Sequence, residues 1–294
     1  MNGNITVPVC NLWVERDLIL KEDLKSINGD IQNWYNNLPI EVKATKERIN
    51  TQLLLGEPIS VDDIIGEWAK IKAIEHKTSL YPNGYEGWIH VSQFTTNISK
   101  FVHQSNTSSS VKVINKTSLL KTNNENIELS FMTTLPLVEL EENKVLIMTP
   151  DERYGRLNLS DVCIYEKGSK PSFNMPTILN ELRRIPFIGG GASSYGFDCS
   201  GLTFRFYQLL GISIPRDVPD QLQAGISVDI SDVKIGDLLF YCTDETHREK
   251  VNHVGIYMGN NQFLSARRTG LPTKVSHVSE PFYSNKLFDV RRYI

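Results

Sequence analysis

The chain has 294 residues, 40% of them hydrophobic and 22% charged, with a formal net charge of −3. That balance belongs to a globular protein rather than a disordered one, and it offers no basic surface for nucleic acid. No apolar run is long enough for a membrane span, and the opening MNGNITVPVC lacks the basic and apolar regions of a secretory signal.

In chain order, residues 5–13 (ITVPVCNLW) predict a strand from their alternating apolar positions. Residues 17–50 are more charged and predict helix or an irregular insertion. From 51 to 94, short strands alternate with turn signals at Gly56, Gly66 and Pro82-Asn83-Gly84, the spacing of a small barrel. Residues 109–166 repeat this pattern more weakly. SFMTTLPLVE corresponds to QLLLGEPISV, and GRLNLSDV to GWIHVSQF, which reads as an internal repeat. KGSKPSFN (167–174) is a linker of turn formers, and 175–185 predicts an amphipathic helix opening the last part of the chain.

Residues 186–211, PFIGGGASSYGFDCSGLTFRFYQLLG, predict a glycine-rich loop running into a helix. Asp198 is placed to cap it, Leu202, Phe206, Leu209 and Leu210 fall at helical spacing, and Gly211 supplies the stop. Cys199 then sits at the positive end of the helix dipole, which should lower its pKa and favour the nucleophilic thiolate. The glycines before it would let backbone approach a ligand. The remaining cysteines, Cys10, Cys163 and Cys242, lie among apolar residues and suit core packing. With no C-x-x-C pairing, neither a zinc site nor a disulfide framework is indicated.

Beyond this helix, IGDLLFYC, VNHVGIYMG, NQFLSARR and LFDVRRYI are strand-like. Helices followed by antiparallel strands make an α+β arrangement. A cysteine hydrolase needs a base within reach of its thiol, and His253, at the start of a strand, is the candidate. Of the other histidines, His76, His90 and His103 read as surface residues of the barrel region, and His247 and His277 as loop residues.

GFDCSGL, IGDLLFY and NHVGIYMG together resemble the NlpC/P60 cysteine peptidases, a papain-like group, over about the last 120 residues. TQLLLGE, GEWAKIKA and GYEGWIHVSQF resemble a bacterial SH3 barrel, in particular that of YkfC-like γ-D-glutamyl-L-diamino acid endopeptidases. The resemblance implies two SH3-like barrels (1–100 and 101–168) before a peptidase domain (174–294). It implies Cys199 as nucleophile, His253 as base and Ser265 at the third catalytic position, where relatives usually carry histidine. Asp198, Ser200, Asp217 and Tyr85 fall where relatives contact substrate. Phe187 replaces a tyrosine that donates to the oxyanion, and Asn50 a glutamate that pairs with the peptide's amino end.

The expected activity is hydrolysis of γ-D-glutamyl-L-diamino acid bonds in peptidoglycan-derived peptides. The barrels would narrow the cleft to short free stems, and no metal or organic cofactor is implied. The alternatives are a degenerate homologue that binds wall peptides, or a related thiol amidase or acyltransferase. A monomer is expected, in the cytoplasm, or secreted or wall-associated if a leader has been removed.

Overall fold

The computed structural model describes residues 1–44, 48–166, 174–244, 246–247 and 250–293. Most of the predicted linker, 167–173, lies outside them. Helices and strands form three successive β units, the last combined with helices. Among the described residues no helix is long and apolar enough to cross a membrane.

The first sheet runs, in spatial order, Ile49–Leu54, Val9–Trp13, Tyr85–His90, Trp68–Ala73, Pro58–Ile65, Asn2–Ile5 and Phe94–Thr95. The second runs Asn126–Ser130, Thr117–Thr122, Tyr154–Asn158, Lys144–Met148, Thr134–Leu140, Ser110–Val113 and Val162–Tyr165. Numbered from one to seven within each unit, both orders read 3-2-6-5-4-1-7. The weak sequence repeat is therefore a repeat of topology. Each unit closes on its own apolar core, one around Leu12, Leu53 and Ile71, the other around Leu120, Val145 and Leu157.

The strand expected over 5–13 is two strands. Pro8, which has no N–H for a ladder, precedes a change of partner: Asn2–Ile5 pairs with Pro58–Ile65, and Val9–Trp13 with Ile49–Leu54. The insertion that follows is helical at Ile31–Asn37 and Ile40–Ala44. Trp34 Nε1 donates to the buried Asp23 (3.0 Å), which also pairs with Arg48. The helix expected over 175–185 is shorter, Met175–Glu181. Arg184 takes φ +62°, which is not helical. Thr273 holds the turn by accepting from Ile185 N and donating to Leu182 O.

The third sheet has six antiparallel strands in the order Ile226–Ser227, Leu287–Arg292, Leu238–Tyr241, His253–Gly259, Gln262–Ser265 and Lys274–His277. Alternation divides its faces. Leu238, Phe240, Val254, Ile256 and Leu264 join the core that includes the Cys199–Leu209 helix. Leu239, Tyr241, Phe263 and Tyr283 form a separate core. The apolar residues at helical spacing marked one face of this helix, yet it is buried on nearly all sides from Ser200 to Leu209. The sheet takes one side and the first barrel takes another. Gly211, φ +74°, follows its end as predicted.

His76 corrects the surface assignment: it is fully buried against Phe204, ring centroids 4.7 Å apart. Arg216 Nε donates to Thr51 Oγ1 (2.9 Å), so the Thr51 hydroxyl is left to donate to His76 Nδ1 (2.9 Å). His76 Nε2 then carries the ring proton toward Glu57 (3.2 Å). Burial pushes His76 down to about 4 and His253 down to about 3, against 6.5 in an unfolded chain. As pH falls below 6.5, the unfolded chain takes up two protons that the folded chain refuses until about pH 4 and pH 3. Stability should therefore fall through that window, by up to about 1.4 kcal/mol per pH unit for each proton. Urea midpoints at pH 7.5 and pH 5 test this. Equal midpoints would contradict it, and His76→Gln should flatten the slope by one proton.

Candidate active site

Asp198 caps the nucleophile helix with extended backbone, and its Oδ1 accepts from Gly201 N at 2.6 Å. A Cβ on Gly201 would lie 2.1 Å from Gly191 O, so the helix and the preceding loop meet where only glycine fits. The same loop presses on the first barrel, since a Cβ on Gly190 would lie 2.2 Å from Ile49 O. These glycines thus serve close approach of backbone to backbone, whereas the sequence suggested approach to a ligand.

Cys199 opens the helix and stays partly accessible. Its thiol is pushed up to about 12, first by the dense surroundings and then by the Asp198 charge. The N–H groups of Val254 and Ser200 at the sulfur, with Arg216, act the other way and do not prevail. This reverses the lowered pKa expected from the sequence. Burial of the sulfur, together with the full negative charge on the capping carboxylate, outweighs the partial positive charge of the helix end.

Val254 N–H meets the sulfur, and His253, the residue before it, opens the same strand, so the strand that carries the imidazole passes the helix tip. The ring is buried, 6.2 Å from the Tyr241 ring and 6.0 Å from that of Tyr283. Burial, and then the Arg267 charge, hold His253 neutral at ordinary pH. The resting pair is therefore a thiol and a neutral imidazole. Ser265 is also buried, but among the described residues neither its Oγ nor His253 Nε2 has a hydrogen-bond partner. Ser265, expected at the third catalytic position, therefore makes no direct hydrogen bond to the imidazole.

Asp198 and Ser200 were expected to line the substrate pocket. Both are held by Arg216, itself 1% exposed. Arg216 Nη1 donates to Asp198 Oδ1 (3.1 Å) and Ser200 Oγ (2.9 Å), and Nη2 to Asp198 Oδ2 (2.9 Å). With Gly201 N also bound, the Asp198 carboxylate has little left for a ligand. Asp217 differs. Its Oδ2 accepts from Tyr85 OH of the first barrel at 3.2 Å, and among the described residues no bond engages its other oxygen. Burial, partly offset by Arg216, raises its pKa. The pairing of Tyr85 with Asp217 is thus assembled across the contact between barrel and helix domain.

Two substituted positions carry structural bonds. Asn50 Nδ2 donates to Glu86 O within the first barrel (2.7 Å). Phe187 is buried and its carbonyl accepts from Tyr35 OH (2.6 Å). Sequence reasoning missed Arg216, Tyr241 and Tyr283. Arg216 had a signal in its place beside Asp217; the two tyrosines had none. A cavity of about 830 Å³ is lined by both barrels and by Gln208 and Gly211 at the far end of the nucleophile helix, and no proposed catalytic or substrate-binding residue borders it.

A cysteine on a helix tip packed against a strand that opens with histidine is an arrangement found in papain-like thiol hydrolases. The NlpC/P60 family matches residues 184–292, and the YKFC SH3b2 domain matches residues 113–165. Over 300 residues the chain is 30% identical to a gamma-D-glutamyl-L-lysine dipeptidyl-peptidase of Bacillus subtilis (strain 168), covering 99% of each. It is 28% identical to the protein of the same name from Bacillus cereus (strain ATCC 10987 / NRS 248), covering 99% of this chain and 90% of that one. The crystal structure of an NlpC/P60 family protein from Bacillus cereus ATCC 10987 superposes with TM-score 0.92 at 27% identity, covering 100% of this chain and 99% of the other. The chain belongs to the NlpC/P60 family of cysteine peptidases, in the branch that carries SH3-type barrels.

Proposed function

We propose that this protein hydrolyses γ-D-glutamyl-L-diamino acid bonds in short, peptidoglycan-derived stem peptides. The observation that supports the reading is the meeting of Val254 N–H with the Cys199 sulfur, which brings the helix tip to the strand that His253 opens. In the proposed reaction the sulfur attacks the γ-carbonyl carbon while His253 takes its proton, since the resting thiol is not ionised. Cys199 N–H, at the open end of the helix, faces the oxyanion. His253 then returns the proton to the amine of the diamino acid, and water releases the glutamyl peptide from the sulfur. Asp217, held by Tyr85, binds the free ammonium group of the peptide through its remaining oxygen. We further propose that the enzyme acts as a monomer in the cytoplasm on released fragments, or at the wall if a leader has been removed.

Incubation with L-Ala-γ-D-Glu-diaminopimelate should release diaminopimelate. Asp217→Asn should raise KM about 10-fold or more for this peptide. It should have no such effect on the N-acetylated peptide, which has no ammonium group. A second reading, a protein that binds wall peptides without cleaving them, is favoured by one observation, the unpartnered His253 Nε2. Absence of turnover, with the peptide still bound by Cys199→Ala, would establish it instead.

A further inference from the structure

Eight buried side-chain polar atoms lack a hydrogen-bond partner among the described residues, and five gather at one spot: His253 Nε2, Ser265 Oγ, Ser276 Oγ, Tyr241 OH and Tyr283 OH. The Tyr283 ring lies 5.0 Å from that of Tyr241 and 6.0 Å from the imidazole. Its hydroxyl is close enough to those of Ser265 and Ser276 for both to act on its titration. The ring cannot easily turn away. It is 1% exposed, packs edge-on against Phe263 and Phe282, and its backbone is fixed by Tyr283 N donating to Glu280 O (2.7 Å).

Buried polar groups rarely stay unpaired, and a water in such a place makes about three hydrogen bonds. We propose that Tyr283 is a positioning residue for His253, acting through one bound water that it shares with Ser265. The imidazole Nε2–H donates to the water, and the water donates to Ser265 Oγ and Tyr283 OH. This fixes the tautomer whose Nδ1 accepts the Cys199 proton. A serine and a water together span the distance that a third histidine would span alone. The other charged groups near this spot are Arg267, beside His253, and Glu280, beside Tyr283.

The proposal rests on the peptidase reading, so it is tested by turnover and by a second measurement that needs no substrate: alkylation of Cys199 by iodoacetamide as a function of pH. Tyr283→Phe and Ser265→Ala should each lower kcat by about 10- to 100-fold with KM nearly unchanged, and should shift the alkylation profile. The double variant should be little worse than either single, because both remove the same bridge. Ser265→His, or Ser265→Asn if the ring destabilises the fold, should restore kcat in the Tyr283→Phe background. Unfolding midpoints identify variants that merely fail to fold. If Tyr283→Phe is folded and keeps both kcat and the alkylation profile, or if its loss is additive with that of Ser265→Ala, the proposal is overturned. If no γ-glutamyl peptide is cleaved but the alkylation profile still shifts, the bridge stands and the substrate reading falls.

Discussion

Cys199→Ala is expected to reduce peptide hydrolysis by on the order of 10⁶-fold while the folded structure survives. The sulfur receives the N–H groups of Val254 and Ser200, and as a neutral thiol it leaves no buried charge unpaired when it is removed. His253→Ala should come unusually close to the same loss. A thiol whose pKa is pushed well up by burial and by the Asp198 charge stays protonated at pH 7.5. Without a base to take its proton during attack, it has almost no nucleophilic form to offer. An enzyme with a preformed thiolate would lose less. Steady-state rates on the diaminopimelate tripeptide check both variants, and a His253→Ala variant retaining a tenth of the rate would show that another group takes the proton.

Arg205→Met should be the most destabilising of the conservative-volume changes, by about 3–5 kcal/mol. Arg205 is fully buried. Its Nε donates to Ala192 O (2.9 Å), and its Nη2 to Gln52 O (2.9 Å) and to Glu57 Oε2 (3.3 Å). Its Nη1 donates to Gln208 Oε1 (2.9 Å) and to the other Glu57 oxygen. Burial alone would raise the Glu57 pKa, yet Arg205 and His76 hold it at about 2. Removing the guanidinium strands that carboxylate with only His76 and Leu54 N as partners. Adding Glu57→Gln should recover more than half of the loss, because the amide oxygen can still accept from those two groups. Urea denaturation measures both, and a single-variant cost below about 1 kcal/mol would refute the argument.

Much of this was legible in the sequence. The turn spacing of 51–94 and the faint echo at 109–166 gave two small barrels, since turn residues sit at fixed offsets whatever surrounds them. Asp198, Cys199 and Gly211 marked the helix because capping is local. The rest depended on distant partners. His76 lies in the polar run EHKT and looked exposed; only the fold sets Glu57, Thr51 and Phe204 around it. Asp198 and Ser200 looked free for a ligand until Arg216 was found between them. The state of Cys199 was misjudged because the local rule accounts for the dipole, whereas burial and the neighbouring carboxylate decide the outcome. Tyr283 arrives from a turn with no pattern to announce it.

The ion pair between Arg205 and Glu57 joins residues 148 positions apart. A ribosome releases the amino-terminal half first, so the acid already sits in a formed barrel when the helix bearing its counter-ion emerges. Translated in the opposite direction, the same helix would have to collapse around an unneutralised guanidinium. The arrangement of the gene thus suits the order in which these charges can be buried safely.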